Sequence, residues 1–235
     1  MKDIIKIATI LPYKENYTFS KAQAAAIWVC DFFKYSDYKN TNFIFGNTMG
    51  NDYLTKNYIN IKINNLKSKL SSSTNEYCQN FIEKTKDSNF DIIEIHNRPL
   101  VFNYLKNKVI AKFIIYFHND PLSMNGSRSN EERLKLLNHV DKIIFVSKWV
   151  QTRFFINLDP KLMNKTEIVY PSIHREKKIF IKDKKITFVG KLNESKGYDI
   201  YKDAVTKILD EFNGWKAYSI GDESRERPKI YHKNH

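Results

Sequence analysis

Short runs of apolar residues alternate along this chain with longer stretches in which apolar positions recur every three or four residues. The runs fall at 4–11, 42–46, 57–63, 90–95, 111–117, 142–146, 167–170, 186–189 and 215–220. Most are continuous rather than alternating, which is the pattern of strands buried on both faces. Between the first two, Ser20 is placed to cap a helix running through Phe33, with Ala22, Ala25, Ala26, Val29, Phe32 and Phe33 at helical spacing. Further helices are predicted at 75–87, 99–107, 129–138, 148–156 and 196–212. Strand and helix in strict alternation call for crossover connections, so the expected fold is α/β, a Rossmann-like, doubly wound, mostly parallel sheet.

Residues 174–185, charged and following Pro171, read as a linker between two such domains. The first domain, 1–173, has ample length. The second, 186–221, offers one strand, one helix and one further strand, so an incomplete second domain is expected. The remainder, 222–235, is polar, contains Pro228 and is expected to be loop or tail.

At 235 residues and 42% hydrophobic content the chain can bury a sizeable core. Its longest apolar runs, such as Phe113 to Phe117, are far below the roughly 20 residues of a membrane span. Charges interrupt the first apolar run and no cleavage site follows it, so that run is expected to be a strand rather than a signal peptide, in a cytoplasmic protein. Cys30 and Cys78 lie in helical segments with no second Cys or His at metal spacing, and are expected to be buried thiols. The formal charge of +13 comes almost entirely from Lys, accompanied by many Asn and Ile, which is also the bias of an AT-rich coding sequence. Basic residues are not interleaved with aromatics and no helix-turn-helix pattern occurs, so no nucleic-acid partner is expected. Peripheral contact with an anionic membrane fits the charge.

Ligands of open parallel sheets bind beyond the carboxyl ends of the strands. Those ends are polar here. His96-Asn97-Arg98-Pro99 follows the run ending at Ile95, His118-Asn119-Asp120-Pro121 follows Phe117, and Ser147-Lys148 follows Val146. Gly190-Lys191-Leu192 through Ser195-Lys196-Gly197 follows Val189, and Gly221-Asp222 follows the last run.

The segment Phe188-Val189-Gly190-Lys191-Leu192 to Lys196-Gly197-Tyr198 resembles the strand, Gly-Lys/Arg-Leu and Lys-Gly pattern of glycosyltransferase family 4, whose members have the GT-B fold. Asp141 to Ser147 resembles that family's strand ending in Val-Ser, and Ile168 to Ile173 its interdomain strand. The resemblance extends from about Ile4 to Gly221.

It implies a retaining transfer of sugar from a nucleotide-diphosphate donor to a glycan or lipid-linked acceptor in cell-envelope polysaccharide synthesis. Lys191 and Lys196, with Gly190 and Ser147, would hold the donor, the lysines offsetting diphosphate charge in place of a metal. His118 matches the family's active-site histidine. His96, Asn97, Arg98 and Asp120 would line the acceptor cleft, Arg98 suiting a carboxylate or phosphate.

Other readings stand beside these. A histidine after a strand is often a turn residue, Arg98-Pro99 can simply open a helix, the lysines can be solvated, and Asp120 can cap a loop. The chain also departs from the family at Pro12 to Ser20, a loop without glycine, and ends before the family's paired glutamates. A non-catalytic sugar- or nucleotide-binding module is the alternative.

Overall fold

The computed structural model describes residues 4–63, 72–172, 181–221, 230, 234 and 235. Contacts divide the chain into two units, Met1–Ile173 and His174–His235. Most of the segment read as a linker, and positions 222–229 and 231–233 of the segment read as a tail, lie outside the described residues.

In the first unit the order is β1 (Ile7–Ile10), α1 (Ala24–Tyr35), β2 (Asn42–Gly46), β3 (Tyr58–Asn60), α2 (Ser73–Thr85), β4 (Ile92–His96), α3 (Pro99–Leu105) and β5 (Lys112–Phe117). Then come α4 (Asn130–His139), β6 (Lys142–Phe145), α5 (Lys148–Phe154) and β7 (Thr166–Ile168). The strands form the parallel sheet that the sequence pattern predicted, and their order is β3-β2-β1-β4-β5-β6-β7. Chain direction across the sheet reverses between β1 and β4, which is where doubly wound folds open a crevice.

Because side chains alternate along a strand, β1 sends Ala8 and Ile10 to one face and Thr9 and Leu11 to the other. On the first face Ile10, Phe45, Ile93, Ile95, Phe113, Ile115, Phe117, Ile143 and Phe145 pack with Phe81, Phe102, Leu136 and Phe154 from the helices. On the second, Leu11, Ile44 and Tyr58 pack with Ala26, Val29 and Cys30 of α1. Both cysteines are buried free thiols, and burial pushes the Cys78 thiol up to about 12.

The expected start of α1 is corrected. Ser20 does not cap it: its hydroxyl faces Asp52 at 3.4 Å, and the preceding chain is tied down by a bridge between Thr18 and Tyr53. That bridge keeps the backbone extended and delays the helix to Ala24, after Gln23, whose side chain makes no cap. Glu15 takes over from the β1 loop, its carboxylate accepting from the Ala26 amide at 3.2 Å.

The second unit contains β8 (Lys185–Val189), α6 (Tyr198–Glu211) and β9 (Lys216–Ile220), with β8 and β9 parallel. Val205 and Leu209 of α6 pack on Ala217, joined by Ile230, while the Asn234 carbonyl accepts from the Ala217 amide. Unlike the strands of the first unit, these two alternate in exposure along their length; Val189 is 75% and Ile220 57% exposed. The reason is that α6 covers one face of the pair. No helix among the described residues is long and apolar enough to cross a membrane.

The ends of β1 and β2 are held from α2 by Tyr77, wholly buried, whose hydroxyl lies 2.9 Å from the Leu11 carbonyl and 3.3 Å from that of Phe45. Tyr77→Phe leaves the Leu11 carbonyl without its buried donor, while the Phe45 carbonyl keeps the Leu11 amide at 2.8 Å, and is expected to cost about 1–3 kcal/mol. Urea denaturation checks this: the midpoint falls while the slope stays unchanged.

Candidate functional site

Beyond β4 the chain turns sharply at Asn97, which has a positive φ of 54° and is nearly buried. Asn tolerates this left-handed backbone better than most residues because its short amide can bond locally. Here that amide spans two strands. Asn97 Oδ1 accepts from the His118 amide at 2.7 Å and the Asn119 amide at 3.3 Å, while the Asn97 amide donates to the Tyr116 carbonyl at 2.8 Å.

The clamp brings two sequence-predicted histidines together. His96 Nδ1 lies 2.8 Å from His118 Nε2, and His96, 1% exposed, stacks on Tyr116 with ring centroids 4.6 Å apart. Trp28 of α1 meets His118 edge-on at 5.0 Å. Burial holds His118 down to about 4, and lowers His96 well below the ordinary value, helped by the neighbouring His118. Both rings are therefore neutral near pH 7. His96 Nε2 is buried with no partner among the described residues. A bare ring nitrogen is tolerated there more readily than an orphaned N–H, which puts the hydrogen on His96 Nδ1. His118 Nε2 then accepts, and His118 Nδ1 carries an N–H.

Beneath the histidines is a polar chain the sequence analysis did not single out. The Thr9 hydroxyl stands 2.9 Å from Glu94 Oε2 and 3.0 Å from Asn42 Oδ1. Burial raises the Glu94 carboxyl above its ordinary value, against the opposing pull of its hydrogen bonds with Thr9 and Tyr116. The signal was present in the sequence: Glu94 is a charged residue inside the apolar run 91–95.

Between the ends of β1, β4 and β5 lies a cavity of about 510 Å³, bordered by Tyr13, Asn97, Arg98 and Asn119 among others. The Arg98 guanidinium sits 5.1 Å over the Tyr13 ring. Asp120, predicted alongside, is otherwise engaged. It pairs with Arg153 at 2.8 Å and accepts from the Leu122 amide at 3.0 Å, and the Arg153 hydrogen bond, with lesser help from Leu122, holds its carboxyl below the usual range against the opposing effect of burial. The Ser147 oxygen caps α5 by accepting from the Val150 amide at 3.2 Å.

The other predicted donor residues belong to the second unit. Gly190 (φ 153°) and Gly221 (φ 157°) end β8 and β9, and the Gly190 amide donates to the Ile220 carbonyl at 3.0 Å. A Cβ on Gly221 would stand 1.7 Å from the Gly190 oxygen, so the backbones approach as only glycine allows. Lys191 and Lys196 are exposed on the turn between β8 and α6, and neither ammonium is paired among the described residues. No group of three or more His, Cys, Asp or Glu among the described residues is placed to hold a metal.

The architecture is that of the Rossmann-like domains of GT-B glycosyltransferases. HepE of Anabaena, solved with UDP-glucose, matches with a TM-score of 0.63 over 93% of this chain and 61% of its own, at 13% identity. The lipopolysaccharide outer core galactosyltransferase WaaB matches at 0.60 over 94% and 62%, at 15% identity. Sucrose-phosphate synthase of Thermosynechococcus elongatus matches at 0.59 over 95% and 64%, at 11% identity. In sequence the chain is similar to YtcC of Bacillus subtilis (strain 168), provisionally named as a glycosyltransferase. The two are 26% identical over 155 residues, 57% of this chain and 38% of YtcC. The chain spans less than two thirds of the length of each of these proteins. No protein-family model matches it.

Two outcomes follow from the histidine pair. Long-range proton–nitrogen spectra of histidine-labelled protein are expected to show His96 protonated on Nδ1 and His118 on Nδ1. The second outcome concerns pH. His118 is lowered from 6.5 to about 4, so the unfolded chain binds a proton in that window that the folded chain refuses. Stability present above pH 6.5 is then lost as pH falls through about 4. Glu94, raised by burial, acts in the opposite sense, so the readout is the difference between the native protein and His118→Gln. The urea midpoint of the variant should fall less between pH 7.5 and 4.5.

Proposed function

We propose that this chain forms the acceptor side and part of the donor side of a glycosyltransferase that moves a sugar, with retention, from a nucleotide diphosphate to a hydroxyl of a glycan or lipid-linked acceptor. One observation carries the reading. A neutral His118, oriented by Asn97 and His96, stands at the end of β5, and Asn97 and Asn119, which flank it, line a polar cavity of about 510 Å³.

In the reaction the bond between the anomeric carbon and the leaving phosphate oxygen breaks, and a bond to the acceptor oxygen forms on the same face. The acceptor proton passes to the departing phosphate, and no covalent enzyme intermediate is needed. The protein's part is positioning and electrostatics. Lys191 and Lys196 offset the charge that grows on the diphosphate, a task some enzymes give to a metal ion, and Gly190 lets the backbone come close. Ser147, at the start of α5, adds a hydroxyl. His118, through its free Nδ1–H, holds a hydroxyl oxygen near the reacting centre. Resemblance to family 4 and the likeness to YtcC support this assignment, and the UDP-glucose bound by HepE makes UDP-sugars the first donors to try.

The test begins with the thermal midpoint of the chain in millimolar UDP-, GDP- and ADP-sugars. One of them is expected to raise the midpoint, since ligand bound only to the folded state must stabilise it. Lys191→Ala with Lys196→Ala should abolish the rise. In a nucleotide-release assay with acceptor, His118→Gln should lower turnover roughly 10²-fold. No shift with any donor, together with no release, sinks the proposal.

A further inference from the structure

The cavity beside His118 carries more positive charge than hydroxyl recognition needs. Three of its lining side chains are cationic: Lys14 from the loop after β1, Arg98 before α3, and Arg128 from the loop before α4. None forms an ion pair with a described residue; the five ion pairs found among the described residues all lie elsewhere. Arg98 Nε is buried and has no hydrogen-bond partner among the described residues, and the guanidinium is steadied instead by the Tyr13 face.

The one carboxylate in the lining, Glu15, forms no ion pair with them. It accepts from the Ala26 amide at the start of α1, and burial raises its carboxyl above the ordinary value against the opposing pull of that hydrogen bond and of the Arg98 charge. Unpaired cations at a partly enclosed site with one buried donor left open are costly unless an anion completes them. The neighbouring Asp120–Arg153 pair is the contrast: an arginine at this sheet edge with no ligand duty has a carboxylate built for it. Around the cations, Asn119, Asn125 and Ser123 supply amide and hydroxyl groups suited to sugar hydroxyls.

We infer that this cavity binds a sugar bearing an anionic group, a carboxylate or a phosphate, with the Arg98 guanidinium as the anchor of that group. The planar fork of Arg98 suits either anion bidentately, and Lys14 and Arg128 add further positive charge. The inference rests on the glycosyltransferase reading only in naming this sugar the acceptor; the binding itself needs no donor.

Calorimetric titration of the full chain tests it with four probes: glucuronate, glucose 6-phosphate, methyl glucoside and inorganic phosphate. At least one anionic sugar should bind at least 10-fold more tightly than methyl glucoside, with an affinity that weakens as salt rises. Glucuronate against glucose 6-phosphate tells which anion is used. Arg98→Gln should remove that preference, and Arg128→Gln, an exposed position, should reduce it with no risk to the fold. Equal binding of neutral and anionic sugars, or an anionic preference unchanged in both variants, overturns the inference. So does inorganic phosphate binding as tightly as the sugar phosphate, since the sugar then contributes nothing. A chain that binds the anionic sugar yet transfers nothing keeps this site and loses the glycosyltransferase reading. Transfer to neutral acceptors alone, with no anionic binding, does the reverse.

Discussion

Two backbone amides, of His118 and Asn119, converge on a single oxygen, Asn97 Oδ1, and the arrangement of this sheet edge depends on that meeting. The strand β4 ends one residue earlier, and without a cross-strand acceptor the amides after β5 would face the crevice unsatisfied. By adopting a left-handed backbone Asn97 aims its side chain along the sheet instead of out of it. His96 and His118 are thereby brought to 2.8 Å, and Arg98 is delivered to the cavity wall. An aspartate there would place a charge against the buried histidines, and a residue without a side-chain acceptor would leave two amides open.

The surroundings sort charge into two kinds. Below the clamp, burial works against it: the histidines are held down, Glu94 is held up, and hydrogen bonds join Asn42 through Thr9 to Glu94. Above it, in the cavity, charge is kept and left uncompensated. The boundary between the two runs through Asn97. A neutral floor gives His118 a fixed proton, and a basic wall gives an incoming anion a fixed direction.

Much of the fold could be read directly, and the reasons are specific. Ile92 to Ile95 and Phe113 to Phe117 are apolar enough to mark strands by themselves, and Pro99 marks the start of α3. The alternation in the β8–β9 pair was not legible because Val189, Tyr218 and Ile220 are apolar yet exposed; composition cannot say which face a neighbour covers. Ser20 misled for a different reason. A cap depends on backbone position, and a bridge between residues 35 apart in sequence, Thr18 and Tyr53, took Ser20 out of place. At the site, residues next to strand ends were legible, because strand ends are local. Trp28, Lys14 and Arg128 were not, since they arrive from a helix face and from loops whose destination only the tertiary fold decides.

The strand order has a consequence for how the chain is made. The strand β1 lies between β2 and β4, so Ile10 has one partner at Phe45 and the other at Ile95. The second partner is 85 residues downstream, counting Ile95 from Ile10. At roughly 5–20 residues per second of synthesis, the β4 side of β1 must wait about 4–17 s on the ribosome for its neighbour. For that interval the four-residue strand β1 has an unpaired edge open to other nascent chains.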